Sequence, residues 1–417
     1  MKILAIETSC DDTGIAILES NLNSQPKLLA GLVSSQTKIH APWGGVVPML
    51  AKREHQKNLV LLLGKALKKS RLLKKHKLQN TNYKQNTDNK IQEIKLVLER
   101  ESELLKNLLP FLKKYAKPDI DYIAVTIGPG LEPALWAGVN FARALSFYWN
   151  IPLIPINHIE GHLTAAFAFQ GKSSGIFNFQ FSIFNKNNFF PAIALVVSGG
   201  HTQLILIRKF GKYQIIGETR DDAAGEAFDK VAKMLNLPYP GGPAIAATAA
   251  KLKISAQDGS ASGGKNYKLK TNSSLPRPMI KSGDFDFSFS GLKTAVLYTL
   301  QKMTKAQIKK LTPALAAEFQ QAIVDVLTTK TLAAAKKFKA QTVMLSGGVA
   351  ANDLLRKTLK LKTINHKLNF LVPPKKFCTD NAVMIALAAW LKIKKRLVPS
   401  RKTNWQNLKT EANLRIF

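Results

Sequence analysis

Cysteine is nearly missing from this chain of 417 residues: Cys10 and Cys378 are the only two. Two thiols build no disulfide framework, and such usage suits a reducing compartment, so a cytoplasmic location is expected. No run reaches 18 apolar residues, so no membrane-spanning helix is expected. The opening Met1-Lys2-Ile3-Leu4-Ala5-Ile6-Glu7 is too short an apolar run for a secretory signal. Acidic residues are scarce: 27 Asp and Glu stand against 61 Lys and Arg, a formal net charge of +34. Polyanions are the natural partners of such a chain, whether nucleic acid, anionic lipid or phosphorylated metabolite. Lysine greatly outnumbers arginine, as a lysine-biased genome would also produce. No tandem repeat with a period of 20 to 50 residues is visible.

The length suits two sizeable cores. Buried strands are expected at 2–6, 14–18, 120–127, 151–156, 192–197, 204–208, 342–345 and 370–372. Helices are expected at about 49–67, 132–149, 223–235, 312–338 and from Cys378 to about 393. Residues 284–290 alternate apolar and polar as a half-buried strand does. Residues 70–117 depart from this pattern: a flexible stretch rich in Lys, Asn and Gln precedes apolar residues at helical spacing over 91–112. They read as an insertion ending in one basic amphipathic helix. Between 61 and 117 there are fifteen Lys or Arg against five Asp or Glu. The apolar spacing of Ile91, Ile94, Leu98, Leu104, Leu105 and Leu108 would also suit docking to a partner protein. Residues 167–190 read as a loop or hairpin excursion and 255–274 as a mobile loop.

Chemistry concentrates in a few short segments. His158 and His162 stand at i and i+4, which puts both imidazoles on one face of a helix, close enough to share a transition metal. Packing or capping of a short helix would use the same spacing. Glu160 lies at i+2, roughly 200° round the helix from His158, so this is not the His-Glu-x-x-His of zinc proteases. Three small-residue turns follow strands: Glu7-Thr8-Ser9-Cys10-Asp11-Asp12-Thr13, Val197-Ser198-Gly199-Gly200-His201-Thr202-Gln203 and Ser346-Gly347-Gly348-Val349-Ala350-Ala351-Asn352. Such turns present backbone N–H groups to an anion. None is a Gly-x-x-x-x-Gly-Lys-Ser/Thr loop, so P-loop chemistry is set aside.

These segments, with Gly128-Pro129-Gly130-Leu131, Asp221-Asp222-Ala223-Ala224-Gly225-Glu226, Tyr239-Pro240-Gly241-Gly242-Pro243, Phe285-Asp286-Phe287-Ser288-Phe289-Ser290 and Cys378-Thr379-Asp380-Asn381, follow one another in an order that resembles the tRNA N6-adenosine threonylcarbamoyltransferase family (TsaD, formerly described as glycoprotein endopeptidases). The resemblance covers nearly the whole chain. It implies an α/β fold of the two-lobed actin/sugar-kinase/Hsp70 (ASKHA) type with a nucleotide cleft between lobes. The lobes would be 1–150, carrying the insertion at about 70–117, and 151–417, with the final helix and tail free to pack back on the N-terminal lobe. It implies one divalent metal ion per subunit, Fe2+ first and Zn2+ second, on His158, His162 and Asp380. It implies substrate contacts at Val196, Val197, Ser198, Gly199, Gly200, Asp229, Gly242 and Asn352. The implied reaction moves the threonylcarbamoyl group of threonylcarbamoyl-AMP to the N6 amine of the adenosine beside the anticodon, in tRNAs reading codons that begin with A. The implied partners are tRNA, a TsaB-like paralogue and a TsaE-like ATPase. Departures from the family pattern lie in the segments at 70–117, 167–190 and 255–274, and at Ala382, where glycine is usual.

Asp11 and Asp12 are the candidates for accepting the amine proton; solvated turn carboxylates would look the same. Cys10 reads as a small buried side chain, and His201 as a turn or phosphate contact. An ATP-binding chaperone-like or regulatory protein of the same fold, or a metalloprotease, is the alternative. The first lacks a spare segment for a peptide-binding domain, and the second lacks a base beside the histidines.

Overall fold

The computed structural model describes residues 1–21, 25–76, 82–170, 177–179, 189–257, 275–398 and 405–416. The chain divides into two compact units. The first is Met1–His40 with Val46–Ser182 and Asp380–Ile416; the second is Ala41–Gly45 with Ile183–Thr379.

The first unit is built on strands β1 (Lys2–Glu7), β2 (Asp12–Glu19), β3 (Lys27–Ser35), β4 (Tyr122–Gly128) and β5 (Leu153–Asn157), in the order β3-β2-β1-β4-β5. β1, β2 and β3 pair antiparallel, while β4 and β5 continue parallel to β1. The β1 and β4 sequences are nearly continuous apolar runs because helices cover both sheet faces. The helices of this unit are α1 (Thr37–His40), α2 (Pro48–Lys69), α3 (Asn82–Val97), α4 (Ser102–Lys114), α5 (Glu132–Trp149) and α6 (His158–Ala165), joined from the far end of the chain by α12 (Ala382–Lys394); α2, α5, α6 and α12 pack on the sheet. Prolines in the first turn of α2 and α5 pre-set the helical φ where no N–H is needed. A short hairpin, β6 (Ala168–Gln170) with β7 (Phe177–Phe179), follows α6. The expected division at 150 and the observed one differ. β5 pairs with β4, so the chain up to α6 belongs to the first sheet. Trp390 of α12 is fully buried and donates its indole N–H to Ser20 Oγ at 3.0 Å.

The insertion is two helices, α3 and α4, rather than one. Ile94, Leu98, Leu104 and Leu108 are fully buried in the same core as Leu59 and Leu63 of α2 and Phe141 of α5. The apolar face expected to suit a partner protein is therefore spent internally. Glu101, between α3 and α4, is buried and anchors the pair to α2 and α5. It accepts from Lys52 Nζ and Gln56 Nε2 at 2.8 Å and from Asn140 Nδ2 at 3.2 Å.

The second unit repeats the plan. β8 (Ala192–Val197), β9 (Thr202–Lys209), β10 (Lys212–Glu218), β11 (Thr342–Ser346) and β12 (Asn369–Leu371) lie in the order β10-β9-β8-β11-β12, antiparallel on the β9–β10 side and parallel on the other. Helices α7 (Ala224–Met234), α8 (Gly241–Gln257), α9 (Ser290–Gln301), α10 (Lys305–Lys337) and α11 (Asp353–Asn365) complete it. The alternation at 284–290 forms no strand: a single bridge joins Phe287 to Thr219. Phe285, Phe287 and Phe289 are buried, while Asp284 and Asp286 turn out to pair with Arg220. One buried face without a neighbouring backbone makes the alternation, not a ladder. The expected loop at 255–274 falls almost wholly outside the described residues, as does most of 167–190.

Candidate metal centre and glycine turns

α6 starts where β5 ends, and Asn157 makes the transition. Its Oδ1 accepts from the N–H of Ile159 at 2.8 Å and of Glu160 at 3.3 Å, an N-cap that launches the helix at His158. One turn later His162 lies beside it, the two rings 4.6 Å apart and nearly perpendicular. Gly161 lets α6 approach α12: a Cβ there would stand 2.9 Å from Ile385 Cδ1. Thr164 Oγ1 donates to Met384 O at 3.0 Å, and Asn381 caps α12 through Met384 N at 3.1 Å. This packing delivers Asp380, just before α12. Its Oδ1 stands 3.4 Å from His158 Nε2 and 3.2 Å from His162 Nε2. The three donor atoms all lie within 4.8 Å of one another. Glu160 points elsewhere and pairs with Lys392 at 2.9 Å.

The donor set fits a divalent transition metal. Both ring nitrogens of His162 are buried and have no hydrogen-bond partner among the described residues, although Nε2 lies 3.2 Å from Asp380 Oδ1. Two imidazoles and a carboxylate leave coordination positions open for substrate. Glu7 completes the arrangement from behind. Its Oε2 lies 3.2 Å from His158 Nδ1 and accepts from Thr126 Oγ1 at 2.6 Å; its Oε1 accepts from Ser9 N at 2.6 Å. Ser9 Oγ is 3.1 Å from the same Nδ1. Burial would lower the His158 pKa, but the Asp380 and Glu7 carboxylates overcome it and lift it to about 10. Burial prevails at His162, whose pKa is lowered. Sequence reasoning placed Glu7 and Ser9 in a motif but gave them no part in the site. The signal was a Glu ending an otherwise apolar strand, a buried charge that needs a partner.

The acidic turn lies in the same unit. Burial, then Asp380, raises the Asp12 pKa to about 7, and raises that of Asp11 as well. Asp12 Oδ1 is buried and has no hydrogen-bond partner among the described residues. Burial pushes the Cys10 thiol pKa well up, with Asp11 and Asp380 adding to it, which disfavours the thiolate. Behind the turn runs a polar chain that the sequence did not reveal. Val47 N–H donates to His40 Nδ1 at 3.3 Å, so His40 Nε2 carries the proton given to Gln36 Oε1 at 3.1 Å. His55 Nε2 donates to Cys10 O at 2.9 Å, which leaves its Nδ1 to accept from Thr13 Oγ1 at 2.7 Å and Gln36 Nε2 at 3.3 Å. Gln36 N–H donates to Asp11 O at 3.1 Å. The carbonyls at the acidic tip are thus held from the interior.

In the second unit the two Ser-Gly-Gly turns leave adjacent parallel strands, with Ser346 in register with Val196. Gly347 has φ +88, and a Cβ there would lie 2.3 Å from Val197 O, so only glycine lets the turns approach. Ser198 N–H donates to His201 O at 2.8 Å, and His201 N–H to Ser198 Oγ at 3.1 Å. The N–H groups of Gly199 and Gly200 remain without an internal acceptor among the described residues, and both residues are exposed. Asp229 Oδ1 accepts from Gly241 N at 2.6 Å and so orders the turn that carries Gly242, which faces open space. Asn352 caps α11 through Leu355 N at 3.1 Å and donates to Gln320 Oε1 at 2.7 Å.

Twin five-stranded sheets of one order and direction, one in each unit, define an α/β protein of the ASKHA type, with a candidate His-His-Asp metal centre in one unit and paired glycine turns in the other. The sequence model of the TsaD family, tRNA N6-adenosine threonylcarbamoyltransferase, matches residues 27–78 and 99–387. An enzyme of that description from Bacillus subtilis (strain 168) is 37% identical over 97% of this chain and 94% of its own length. Those of Thermosipho africanus (strain TCF52B) and Persephonella marina (strain DSM 14350 / EX-H1) are both 39% identical over 100% of this chain, covering 100% and 96% of their own lengths. The chain belongs to the tRNA N6-adenosine threonylcarbamoyltransferase family. The unmatched interval 79–98 contains the whole of α3, while α4 lies within the matched part. No described helix is long and apolar enough to cross a membrane.

Proposed function

We propose that this chain transfers the threonylcarbamoyl group of threonylcarbamoyl-AMP to the N6 amine of the adenosine beside the anticodon, in tRNAs reading codons that begin with A. The observation that carries the reading is the convergence of His158, His162 and Asp380 in a chain of this family. The new bond joins N6 to the carbamoyl carbon. The bond from that carbon to the adenylate oxygen breaks, AMP leaves, and the amine loses one proton. The donor arrives activated, so the protein's task is positioning and charge stabilisation.

His158, His162 and Asp380 would hold one divalent ion, Fe2+ in preference to Zn2+, and such an ion supplies Lewis acidity toward substrate oxygens. Glu7 and Ser9 hold His158 through Nδ1 and aim Nε2 at that position. Asp12 accepts the amine proton, its raised pKa matching the task near neutrality, with Asp11 beside it in the same turn. The N–H groups of Gly199 and Gly200 receive the AMP phosphate; Val196, Val197 and Ser198 form the turn's base. Asp229 acts by ordering Gly242, and Asn352 by fixing the second turn, so that both turns are held in place for the ribose and threonyl groups. A protease reading is disfavoured because Glu160 is engaged with Lys392. We infer work in the cytoplasm with a TsaB-like paralogue and a TsaE-like ATPase. The test is complementation: cells lacking their own enzyme should regain threonylcarbamoyladenosine in tRNA when given this chain, and no regain contradicts the proposal.

A further inference from the structure

The last residues of the chain lie beyond the part matched by the family's sequence model, which ends at 387, yet they dock beside the metal helix. Glu411 N–H donates to Ile127 O at 2.8 Å at the end of β4, and Gly130 N–H donates back to Ala412 O at 3.0 Å. Gly128 is shaped for this contact: a Cβ there would fall 1.9 Å from Glu411 O. The chain then turns, Leu414 N–H donating to Glu411 O at 3.1 Å, and buries Ile416. Asn157 meets it there. The amide whose Oδ1 caps α6 donates its Nδ2 to Leu414 O at 3.4 Å and to Arg415 O at 3.3 Å. A second route runs through the same loop. Leu131 N–H donates to Ser9 O at 2.8 Å, and Ser9 Oγ stands 3.1 Å from His158 Nδ1.

We propose that residues 411–416 form an intrinsic strap that positions the metal helix, with Asn157 as the positioning residue through which it acts. A free Asn amide can rotate. Two tail carbonyls accept from its NH2 and hold its oxygen on the N–H groups of Ile159 and Glu160, fixing where His158 leaves β5. This inference rests on the reading of His158, His162 and Asp380 as metal ligands.

The experiment measures Zn2+ and Fe2+ affinity, by competition with a chromogenic chelator, for four forms of the protein. These are the full chain, the chain ended at Thr410, Asn157→Ser with the full tail, and the two changes together. Serine keeps the N-cap but offers the tail no amide. Each single change should weaken metal binding about 10- to 100-fold, the usual cost of losing support behind a ligand. The combined form should be no weaker than the weaker single one, because both remove one connection. Wild-type affinity in either single form, or losses that add, would overturn the strap. If the shortened chain does not fold, Asn157→Ser decides alone: a mere cap predicts wild-type affinity, the strap predicts the loss. A full chain that binds neither metal would overturn the ligand reading itself, and the strap with it.

Discussion

Glu7 Oε2 and His158 Nδ1 stand 3.2 Å apart, both fully or nearly buried, on the side of the imidazole away from Asp380. A carboxylate in that position accepts a hydrogen bond from Nδ1–H and so leaves the Nε2 lone pair for a metal. Glu7→Gln keeps the shape and removes the charge. It should weaken metal affinity about 10- to 100-fold, read by chelator competition, with little change in far-ultraviolet circular dichroism.

His158→Ala and His162→Ala should each lose bound metal and most transfer activity together, whereas Glu160→Gln should keep its metal because Glu160 faces Lys392. Elemental analysis of protein purified without chelators checks this. Full metal content in the double histidine variant would remove the site.

Asp12 has its pKa raised by burial and Asp380 from 3.8 to about 7. As the base it must be ionised, so kcat/KM should rise with pH through this region, and Asp12→Asn should abolish most activity. The sign for stability is opposite. The folded chain holds this proton more tightly than the unfolded one, so the contribution is present below 3.8 and lost as pH rises through about 7. Asp12→Asn should therefore raise the melting temperature at pH 8 but not at pH 4. An equal effect at both pH values would contradict the assignment.

His55 shows the reverse. Burial lowers its pKa from 6.5 to about 4, so the stability it contributes is whole above 6.5 and lost as pH falls toward 4. His55→Gln keeps a donor for Cys10 O and should flatten the acid limb of the stability–pH curve. An unchanged limb would mean that other groups govern acid unfolding.

Legibility in the sequence differed from element to element. The strands 2–6, 192–197 and 342–345 were legible because central parallel strands are apolar on both faces. β3 and β10 were not, being edge strands with mixed composition, and the alternation at 284–290 misled because one buried face needs no ladder. The i, i+4 histidines were visible, but Asp380 came only from resemblance, since no local pattern links residues more than two hundred apart. The parts of Glu7, His55 and the Asn157–tail contact were hidden for the same reason: each is a hydrogen bond between distant segments.

The basic ribbon where Lys74 and Lys75 run beside Lys113 and Lys114, joined by the Lys75–Tyr115 bridge, should contribute to tRNA binding, as should Lys394, Lys395 and Arg396 near the end of α12, whereas Lys392 is paired with Glu160. Charge reversal of the four ribbon lysines should weaken tRNA affinity and reduce the salt slope by about 1 for each phosphate no longer engaged. An unchanged slope would leave the ribbon as a solvated surface.

The most direct measurement is mass spectrometry of nucleosides from tRNA incubated with metal-loaded chain and threonylcarbamoyl-AMP, with the pathway's helper proteins supplied. The account predicts threonylcarbamoyladenosine with the wild-type chain and its loss with the His158→Ala, His162→Ala variant. No modified adenosine from the wild-type chain under these conditions, or equal amounts from both proteins, would contradict it.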